Sequence, residues 1–330
     1  MRVDQEVAGV SRPDGEASWS RYWAAGHAHS CPTSFSGFYG PQLQAFWQRQ
    51  CRALQPADVV VDLGCGNGAL LRFLAGQFAE GQSPRLCGVD AASLRLDWLE
   101  QVPPAVRERL VVHERTPFRS LPFDAGAVSF AASQFGIEYA NADETWAELF
   151  RVLGPRAGVA FVLHKQGSHL DAVAADELLL GRAALAEGGI FGAAQAVAPY
   201  LARPELRSAP DAGAARQRFN AGCDALVALS QLVKNGDYAH DMLGAIAKIL
   251  SEAAGSGVAV EPRLQALRGG VEDHLNRVAA LRSSALDEAH LQALRTRLTD
   301  AGFVLADNAT VSEQGFEMGW IIEGRRESGS

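Results

Sequence analysis

Short apolar runs alternate with amphipathic stretches over the first half of the chain. The predicted strands share a brief apolar or β-branched run, and in chain order they are 59–63, 85–90, 110–112, 128–132 and 158–163. Helices are predicted at 69–77, at 143–153 and from about Ser93. Strands separated by helices predict an α/β fold with a parallel sheet and helices on both faces.

A long helical block interrupts this alternation between about Gly167 and Ser284. In one stretch the apolar residues recur at steps of three and four, and they are Leu264, Leu267, Val271, Leu275, Val278 and Leu281. Such spacing predicts a helix with one buried face. A further helix at 291–300 and strands at 303–305 and 318–322 follow the block, so the pattern predicts a helical insertion in one α/β domain.

Four segments follow from these patterns. Residues 1–17 are polar and predict a flexible tail. Residues 18–57 are rich in aromatics, with a helix expected from Pro41, and they predict an N-terminal helical lid. The remaining segments are the α/β domain at 58–165 and 285–330 and the helical insertion at 166–284.

Composition places the chain among globular proteins and disfavours some partners. Of its 330 residues, 48% are hydrophobic and 21% are charged. The formal net charge of −8 disfavours nucleic acid as a partner. Five scattered cysteines are typical of free thiols in a reducing compartment, and neither a leader-like segment nor an apolar run of about 18 residues is present. We therefore expect a cytoplasmic protein without a membrane segment, and its oligomeric state is left open.

The loop Gly64-x-Gly66-x-Gly68 lies between a predicted strand and a predicted helix. Glycine permits a tight turn and a close approach of ligand to backbone, and a helix start offers free N–H groups. Asp90, at the end of the second strand, is suited to the two hydroxyls of a ribose. Three interpretations are open here: a nicotinamide dinucleotide site, a site for another nucleoside ligand, and a turn without ligand.

Asp62 separates the first two interpretations. Its carboxylate lies two residues before Gly64, where it would repel a pyrophosphate because like charges repel. The same carboxylate would attract a ligand that carries an ammonium and a sulfonium. The position of Asp62 therefore favours a cationic nucleoside ligand over a dinucleotide.

Several segments resemble the class I, Rossmann-like S-adenosylmethionine-dependent methyltransferases. Residues 60–68, Val-Val-Asp-Leu-Gly-Cys-Gly-Asn-Gly, are similar to the first motif of that family, and Gly88-Val89-Asp90 to its second. Leu121-Pro122-Phe123 resembles the loop before its fourth strand, and 152–158 the turn into its fifth. The resemblance covers roughly 58–165 and 288–323. It implies a mostly parallel sheet of seven strands with the last antiparallel, S-adenosylmethionine as donor and S-adenosylhomocysteine as product.

The resemblance also implies roles for the donor-site residues. Asp62 would hold the methionine amino group, Asp90 the ribose, and Ala91 would lie against the adenine. The other expected donor contacts come from the glycine loop, the two following strand ends and the lid: Gly64, Cys65, Gly66, Gly68, Thr116, Pro117, Phe118, Ser133, Gln134, Tyr22 and Trp23. The family often reads the adenine amino group with an aspartate after the third strand. Here Glu114, Thr116 and the backbone are the open alternatives, and Val128-Ser129 replaces the usual Phe-Asp.

The acceptor site is expected after the fourth and fifth strands. The segment 133–139 lacks the Asn/Asp-Pro-Pro-Tyr/Phe motif of enzymes that methylate planar amide or base nitrogens. It resembles the variable segment of small-molecule methyltransferases. We expect Glu138, Tyr139 and His164 to form the catalytic site, with His164 as base because an imidazole titrates near neutrality. A local cap or ion pair for Glu138 and a backbone hydrogen bond for His164 are the alternatives.

The resemblance predicts methyl transfer to an oxygen or nitrogen atom of a small-molecule acceptor. A peptide or tRNA acceptor, and a non-catalytic binding protein of the same fold, are the alternatives. In similar proteins an insertion after the fifth strand covers the acceptor pocket, so the segment 166–284 is expected to form a cap.

His27-Ala28-His29-Ser30-Cys31 has metal-ligand residue types at alternate positions. No second group of ligands lies near it in the sequence, and a stable zinc site needs about four ligands. We therefore expect no metal and assign the segment to the lid, with Tyr22, Trp23 and Tyr39 over the donor.

Overall fold

The computed structural model describes residues 13–30, 38–79, 82–140, 142–256 and 259–327. The described helices are α1 (Pro13–Ala24), α2 (Pro41–Cys51), α3 (Ala69–Ala75), α4 (Pro104–Arg107), α5 (Asp143–Val152), α6 (His169–Leu185), α7 (Ile190–Ala202), α8 (Ala212–Ser230), α9 (Asp237–Ser256), α10 (Val260–Ser284) and α11 (Glu288–Asp300). The described strands are β1 (Val59–Leu63), β2 (Arg85–Val89), β3 (Leu110–His113), β4 (Val128–Gln134), β5 (Leu153–His164), β6 (Phe303–Leu305), β7 (Ala309–Glu313) and β8 (Phe316–Arg326).

The sheet is parallel at its centre and antiparallel at one end. Its strand order is β3-β2-β1-β4-β5-β8-β6, with β7 also paired to β8. Strands β1 to β5 run parallel, whereas β8 is antiparallel to β5, β6 and β7. The predicted fold class is confirmed: a mostly parallel α/β sheet with an antiparallel end and a helical insertion after β5.

The described sheet has eight strands instead of the predicted seven because its edge strand is broken. β6 pairs with the end of β8, from Gly324 to Arg326, and β7 pairs with the part from Phe316 to Ile321. The two short strands thus follow one another along one side of β8. The exposed residues Asp307 and Asn308 lie at the break, and both residue types favour turns over strands.

Each face of the sheet carries an apolar core. Val60 packs with Trp47 and Leu71 on one face, and Val61 packs with Trp146 on the other, because successive side chains of a strand point to opposite faces. The parallel strands end together at one edge of the sheet. This arrangement brings the residues that follow β1, β2, β4 and β5 close to one another.

The N-terminal segment differs from its prediction at both ends. The predicted flexible tail 1–17 is too long, because α1 begins at Pro13. The predicted lid over 18–57 is also too long, because α2 belongs to the core. Trp47 of α2 is fully buried, and its Nε1 donates to Gln134 Oε1 at 2.6 Å.

The predicted helix from Ser93 is wrong. The segment after β2 is an irregular loop until a short 3₁₀ turn at Asp97–Gln101. Four consecutive backbone N–H groups, of residues 92 to 95, donate to side-chain oxygens of Asp90, Ser20, Glu114 and Asn67 at 2.7–3.1 Å. These acceptors satisfy the N–H groups without helix formation, and they lie far apart in the sequence.

The insertion leaves and rejoins the sheet at one point. The N–H of Leu286 donates to His164 O at 2.9 Å, and the N–H of Gln166 donates to Leu286 O at 3.0 Å. Trp320 Nε1 also donates to Leu286 O at 2.9 Å. These bonds hold the residue that follows the insertion against the end of β5. The insertion therefore does not interrupt the sheet.

The inserted helices form a compact unit of their own, Ala172–Arg282. Leu180, Phe191, Ile246 and Leu264 lie in its core, which contains most of the apolar stripe that the sequence shows on α10. Among the described residues no helix combines the length and apolar character needed to cross a membrane.

Glu313 of β7 caps α2 from a distant part of the chain. Its Oε1 accepts a hydrogen bond from the N–H of Leu43 at 2.8 Å, and the residue is 2% exposed. A negative group at this end suits the partial positive charge of a helix N-terminus. A side chain at Gly40 would collide with Glu313 Oε2, so glycine there makes room for the carboxylate.

We predict that Glu313→Ala lowers the free energy of unfolding by about 1–2 kcal/mol, because the N–H of Leu43 loses its acceptor. Glu313→Gln retains an oxygen acceptor and should lose less. Chemical denaturation of both variants, with the exposed Glu327→Ala as control, measures the difference. Equal losses in the Ala and Gln variants would show that this hydrogen bond is not the stabilising contact.

Candidate functional site

The glycine loop after β1 has a conformation that needs glycine. Gly64, Gly66 and Gly68 have φ angles of +74°, +50° and +82°, in the left-handed region that other residues rarely adopt. The N–H groups of Gly64 and Cys65 donate to Val89 O at 2.9 and 3.2 Å. The loop is therefore fixed between the ends of β1 and β2.

The same glycines make room for other parts of the protein. A Cβ on Gly66 would lie 2.5 Å from the ring of Trp23, and one on Gly68 would lie 2.6 Å from the ring of Trp98. On Gly64 it would lie 2.7 Å from Gly136 Cα. Glycine is thus required at these positions for a second reason, in addition to the approach of a ligand: other parts of the protein occupy the space that a side chain would need.

Asp62 is a buried carboxylate with an unsatisfied oxygen. The residue is 1% exposed, and its Oδ2 has no hydrogen-bond partner in the described part of the chain. Burial and the negative charge of Asp90 raise the pKa of Asp62 to about 8. A buried carboxylate without a partner is costly, so the site suits a bound cationic group and disfavours a pyrophosphate.

Asp90 is already held in place by the backbone around it. Its Oδ2 accepts from the N–H of Gly66 and its Oδ1 from the N–H of Ala92, both at 2.8 Å. Burial raises the pKa of Asp90, while these two N–H groups act in the opposite direction. Each carboxylate oxygen can accept a second hydrogen bond, so Asp90 is oriented and can still bind a diol. Ala91 follows it directly and is partly exposed.

The segment after β3 lies against Asp90 and the glycine loop. The N–H of Thr116 donates to Asp90 O at 2.8 Å, and Phe118 lies 3.6 Å from the Cβ position of Gly64. Thr116, Pro117 and Phe118 are thus next to the expected donor position. Glu114 Oε2 accepts a hydrogen bond from the N–H of Leu94 at 2.9 Å, so this side chain is already bound to the loop after β2.

Ser133 and Gln134, at the end of β4, bind other parts of the protein. Ser133 Oγ donates to Leu63 O at 2.6 Å and accepts from the N–H of Ile137 at 2.9 Å. Gln134 Oε1 accepts from Trp47 Nε1. The two side chains thus join β4 to β1 and to α2 at the edge of the candidate site.

Glu138 and His164 form a buried pair. Glu138 Oε1 accepts from His164 Nδ1 at 2.7 Å and from the backbone N–H of His164 at 2.8 Å. Their side chains are 1% and 4% exposed, and Glu138 Oε2 has no partner among the described residues. Nδ1 is thus the ring nitrogen of His164 that contacts Glu138.

Aromatic rings surround this pair and extend to the donor loop. The ring of His164 lies 4.5 Å from that of Phe135 and 5.8 Å from that of Tyr139, centre to centre. Tyr139 contacts Trp19 of α1 edge to face at 6.0 Å, and Trp19 stacks on Trp23 at 5.6 Å. The three predicted catalytic residues therefore lie together, and α1 links them to Gly66.

The two predicted lid aromatics differ in their surroundings. Trp23 is buried against Gly66. Tyr22 stacks its ring on His27, and its hydroxyl donates to His29 O at 2.8 Å. The ring of His29 lies 4.8 Å from that of Tyr39.

The described residues contain no group of three or more His, Cys, Asp or Glu side chains placed to hold a metal ion. His27 and His29 of the metal hypothesis engage aromatic rings, and Cys31 lies outside the described residues.

The sequence did not single out Asn67, Trp19 or Phe135. Asn67 bonds to the N-terminal segment through Nδ2, which donates to Trp23 O and to His27 O, both at 2.8 Å. The one feature of the sequence that could have pointed to Asn67 is its position inside the glycine loop. The partners, more than 35 residues earlier, follow only from the fold.

A family model described as a methyltransferase domain matches residues 60–156. These residues include the glycine loop, Asp90 and the Glu138 segment. A comparison with curated protein sequences gives no match.

The solved structures that match the chain include several methyltransferases. Geranyl diphosphate C-methyltransferase from Streptomyces coelicolor A3(2) has 19% identity and a TM-score of 0.32, over 37% of this chain and 42% of that chain. A SAM-dependent methyltransferase from Aquifex aeolicus has 13% identity and a TM-score of 0.40, over 85% and 88%. A putative sarcosine dimethylglycine methyltransferase from Galdieria sulphuraria has 15% identity and a TM-score of 0.38, over 88% and 85%.

The chain spans 42–48% of the length of three of the geranyl diphosphate methyltransferase structures. The matched residues include the glycine loop, the buried Asp62 and the partly exposed Asp90, and they lie in the parallel part of the sheet. Within the α/β unit, residues 60–156 therefore match a methyltransferase domain.

Proposed function

We propose that the protein transfers a methyl group to an oxygen or nitrogen atom of a small molecule. The observation that carries this proposal is the buried Glu138–His164 pair at the carboxyl end of the sheet. Bound S-adenosylmethionine supplies a methyl carbon activated by its sulfonium. The protein then needs to align the acceptor, exclude water and remove a proton.

The donor residues fit this ligand by charge. The Asp62 carboxylate would hold the methionine ammonium, which provides the partner that its Oδ2 lacks. Asp90 would bind the ribose hydroxyls through its remaining acceptor positions. The glycine loop with Cys65, the segment Thr116–Phe118 and the end of β4 would surround the rest, with Ala91 beside the adenine and the N-terminal aromatics above.

His164 is proposed as the general base. Glu138 fixes the ring with Nδ1 protonated, so that Nε2 can accept a proton from a hydroxyl or an ammonium. Tyr139 and Phe135 shield the pair from water. Aromatic faces also suit an acceptor that is planar or cationic.

An acidic chain gives no electrostatic support for a tRNA acceptor. The role of the helical insertion in acceptor choice stays a prediction from the sequence. The cytoplasm is proposed as the location, since the four described cysteines are free thiols. Incubation with labelled S-adenosylmethionine and panels of hydroxyl compounds, amines, peptides and tRNA tests the proposal. Label in peptide or tRNA alone would replace it, and label in none would favour a non-catalytic binding protein.

We predict that Asp62→Asn prevents donor binding but stabilises the fold. An aspartate in an unfolded chain titrates near pH 4, whereas burial raises the pKa of Asp62 to about 8 in the folded protein. The folded protein thus binds this proton more tightly, and its stability falls as the pH rises from about 4 to about 8. The variant lacks this cost, so its Tm should exceed that of wild type by several degrees at pH 9 and by little at pH 4.

Donor affinity should have the opposite pH dependence, because an ionised Asp62 binds the ammonium. Between about pH 6 and 8 the wild-type Kd for S-adenosylmethionine should fall, by up to about tenfold per pH unit. Calorimetric titration of wild type and of the exposed control Asp307→Asn measures it. A wild-type Kd constant over this range, or tight binding by Asp62→Asn, would contradict the role of Asp62.

We predict that His164→Ala lowers kcat by about 10²–10⁴-fold, the usual contribution of a general base. Donor affinity should stay within about twofold, since His164 is not expected to bind the donor. Glu138→Gln should lower kcat to a smaller extent, because it weakens the orientation of the imidazole. Initial rates on the acceptor found in the panel provide the measurement.

The exposed His290→Ala is the matched control and should retain wild-type kcat. If His164→Ala also retained it, the base assignment would be refuted. The proposed donor site would remain, since its test is the pH dependence of donor binding.

A further inference from the structure

Asn67 uses its whole side chain to join two segments. Nδ2 donates to Trp23 O and His27 O at 2.8 Å, and Oδ1 accepts from the N–H of Arg95 at 2.7 Å. Its backbone carbonyl accepts from Trp98 Nε1 at 2.7 Å. The residue is 5% exposed, so these bonds are protected from water and loss of any of them is costly.

The segment that Asn67 holds is the end of α1 and the turn after it. Trp23, at this end, is buried and lies against the backbone of Gly66. Ser20 adds a second attachment, since its Oγ accepts from the N–H of Ser93 at 3.1 Å. The Ser20 attachment joins α1 to the loop that follows Asp90, the proposed ribose position. The Asn67 attachment joins the end of α1 to the glycine loop, whose Gly66 N–H binds Asp90.

The same helix contributes to the acceptor side. Trp19 stacks on Trp23 and contacts Tyr139, whose ring in turn contacts His164. A shift of α1 away from the glycine loop would therefore move Trp19 away from Tyr139. The position of α1 therefore affects both the donor loop and the surroundings of the proposed base.

We propose that Asn67 is a positioning residue that holds α1 over the donor loop, and that α1 thereby forms a wall shared by the donor and acceptor sites. This inference rests on the proposed function and deepens it. The two Nδ2 hydrogen bonds to main-chain carbonyls are the contacts that act. The Oδ1 contact to Arg95 shapes the loop after β2 but does not hold the helix.

Two variants separate these contacts. Asn67→Ala removes the three side-chain hydrogen bonds and leaves the backbone carbonyl for Trp98. Asn67→Asp is close in shape, keeps an oxygen for the N–H of Arg95 and loses both donors. We expect both variants to raise the Kd for S-adenosylhomocysteine by at least about fivefold, the lower range of coupling between linked sites. Both should also raise the acceptor KM and speed tryptic cleavage after Arg21 in α1. The exposed Asn308→Ala should behave as wild type.

A double-mutant cycle tests the link to the acceptor site. If Asn67 acts through α1, the effects of Asn67→Ala and Trp19→Ala on acceptor KM should be markedly less than additive. Additive effects would overturn the link through Trp19. An Asn67→Asp variant with wild-type donor affinity and wild-type cleavage would overturn the assignment to the Nδ2 contacts.

Hydrogen exchange on the unmodified protein gives an independent test, which holds even where a variant fails to fold. Saturating S-adenosylhomocysteine should slow exchange of the α1 amides, and unchanged α1 exchange would overturn the proposal. A wild type that binds the donor but methylates no acceptor would contradict the proposed function alone. A wild type that methylates an acceptor while α1 exchange is unchanged would contradict only this inference.

Discussion

The buried carboxylate of Asp62 is the feature on which the rest of the site depends. It lies beside a second carboxylate, Asp90, and one of its oxygens lacks a partner in the described structure. Two neighbouring acids, of which Asp62 is fully buried, destabilise the fold unless a cation or a proton compensates their charge. A bound ligand with positive charge would offset this cost. A dinucleotide would add further negative charge at the same place.

The surrounding structure keeps these acids in position and limits access to them. Asp90 is held by backbone N–H groups on either side, and the glycines let Trp23 and Trp98 approach the loop closely. The buried Glu138–His164 pair lies at the next strand ends and is joined to the loop by a series of aromatic rings. The residues proposed for donor binding and for proton removal thus lie at the same edge of the sheet.

Sequence pattern predicted the parts that depend on local chemistry. The Val59–Leu63 strand, the glycine loop and the order of alternating elements follow from residue type and spacing. The loop after β2 could not be predicted, because its N–H groups are satisfied by Ser20, Glu114 and Asn67, which only the fold brings together. The broken edge strand and the core position of α2 could not be predicted for the same reason, because both depend on contacts between distant parts of the chain. The proposed roles of His164, Tyr139 and the helical unit remain predictions.

The most direct test of the account is an experimental structure with S-adenosylhomocysteine bound. We expect the amino nitrogen of its methionine part within about 3 Å of an Asp62 carboxylate oxygen. Its ribose hydroxyls should lie on Asp90, and its sulfur should face His164. An amino group directed away from Asp62 would contradict the central claim, as would a ligand phosphate beside that carboxylate.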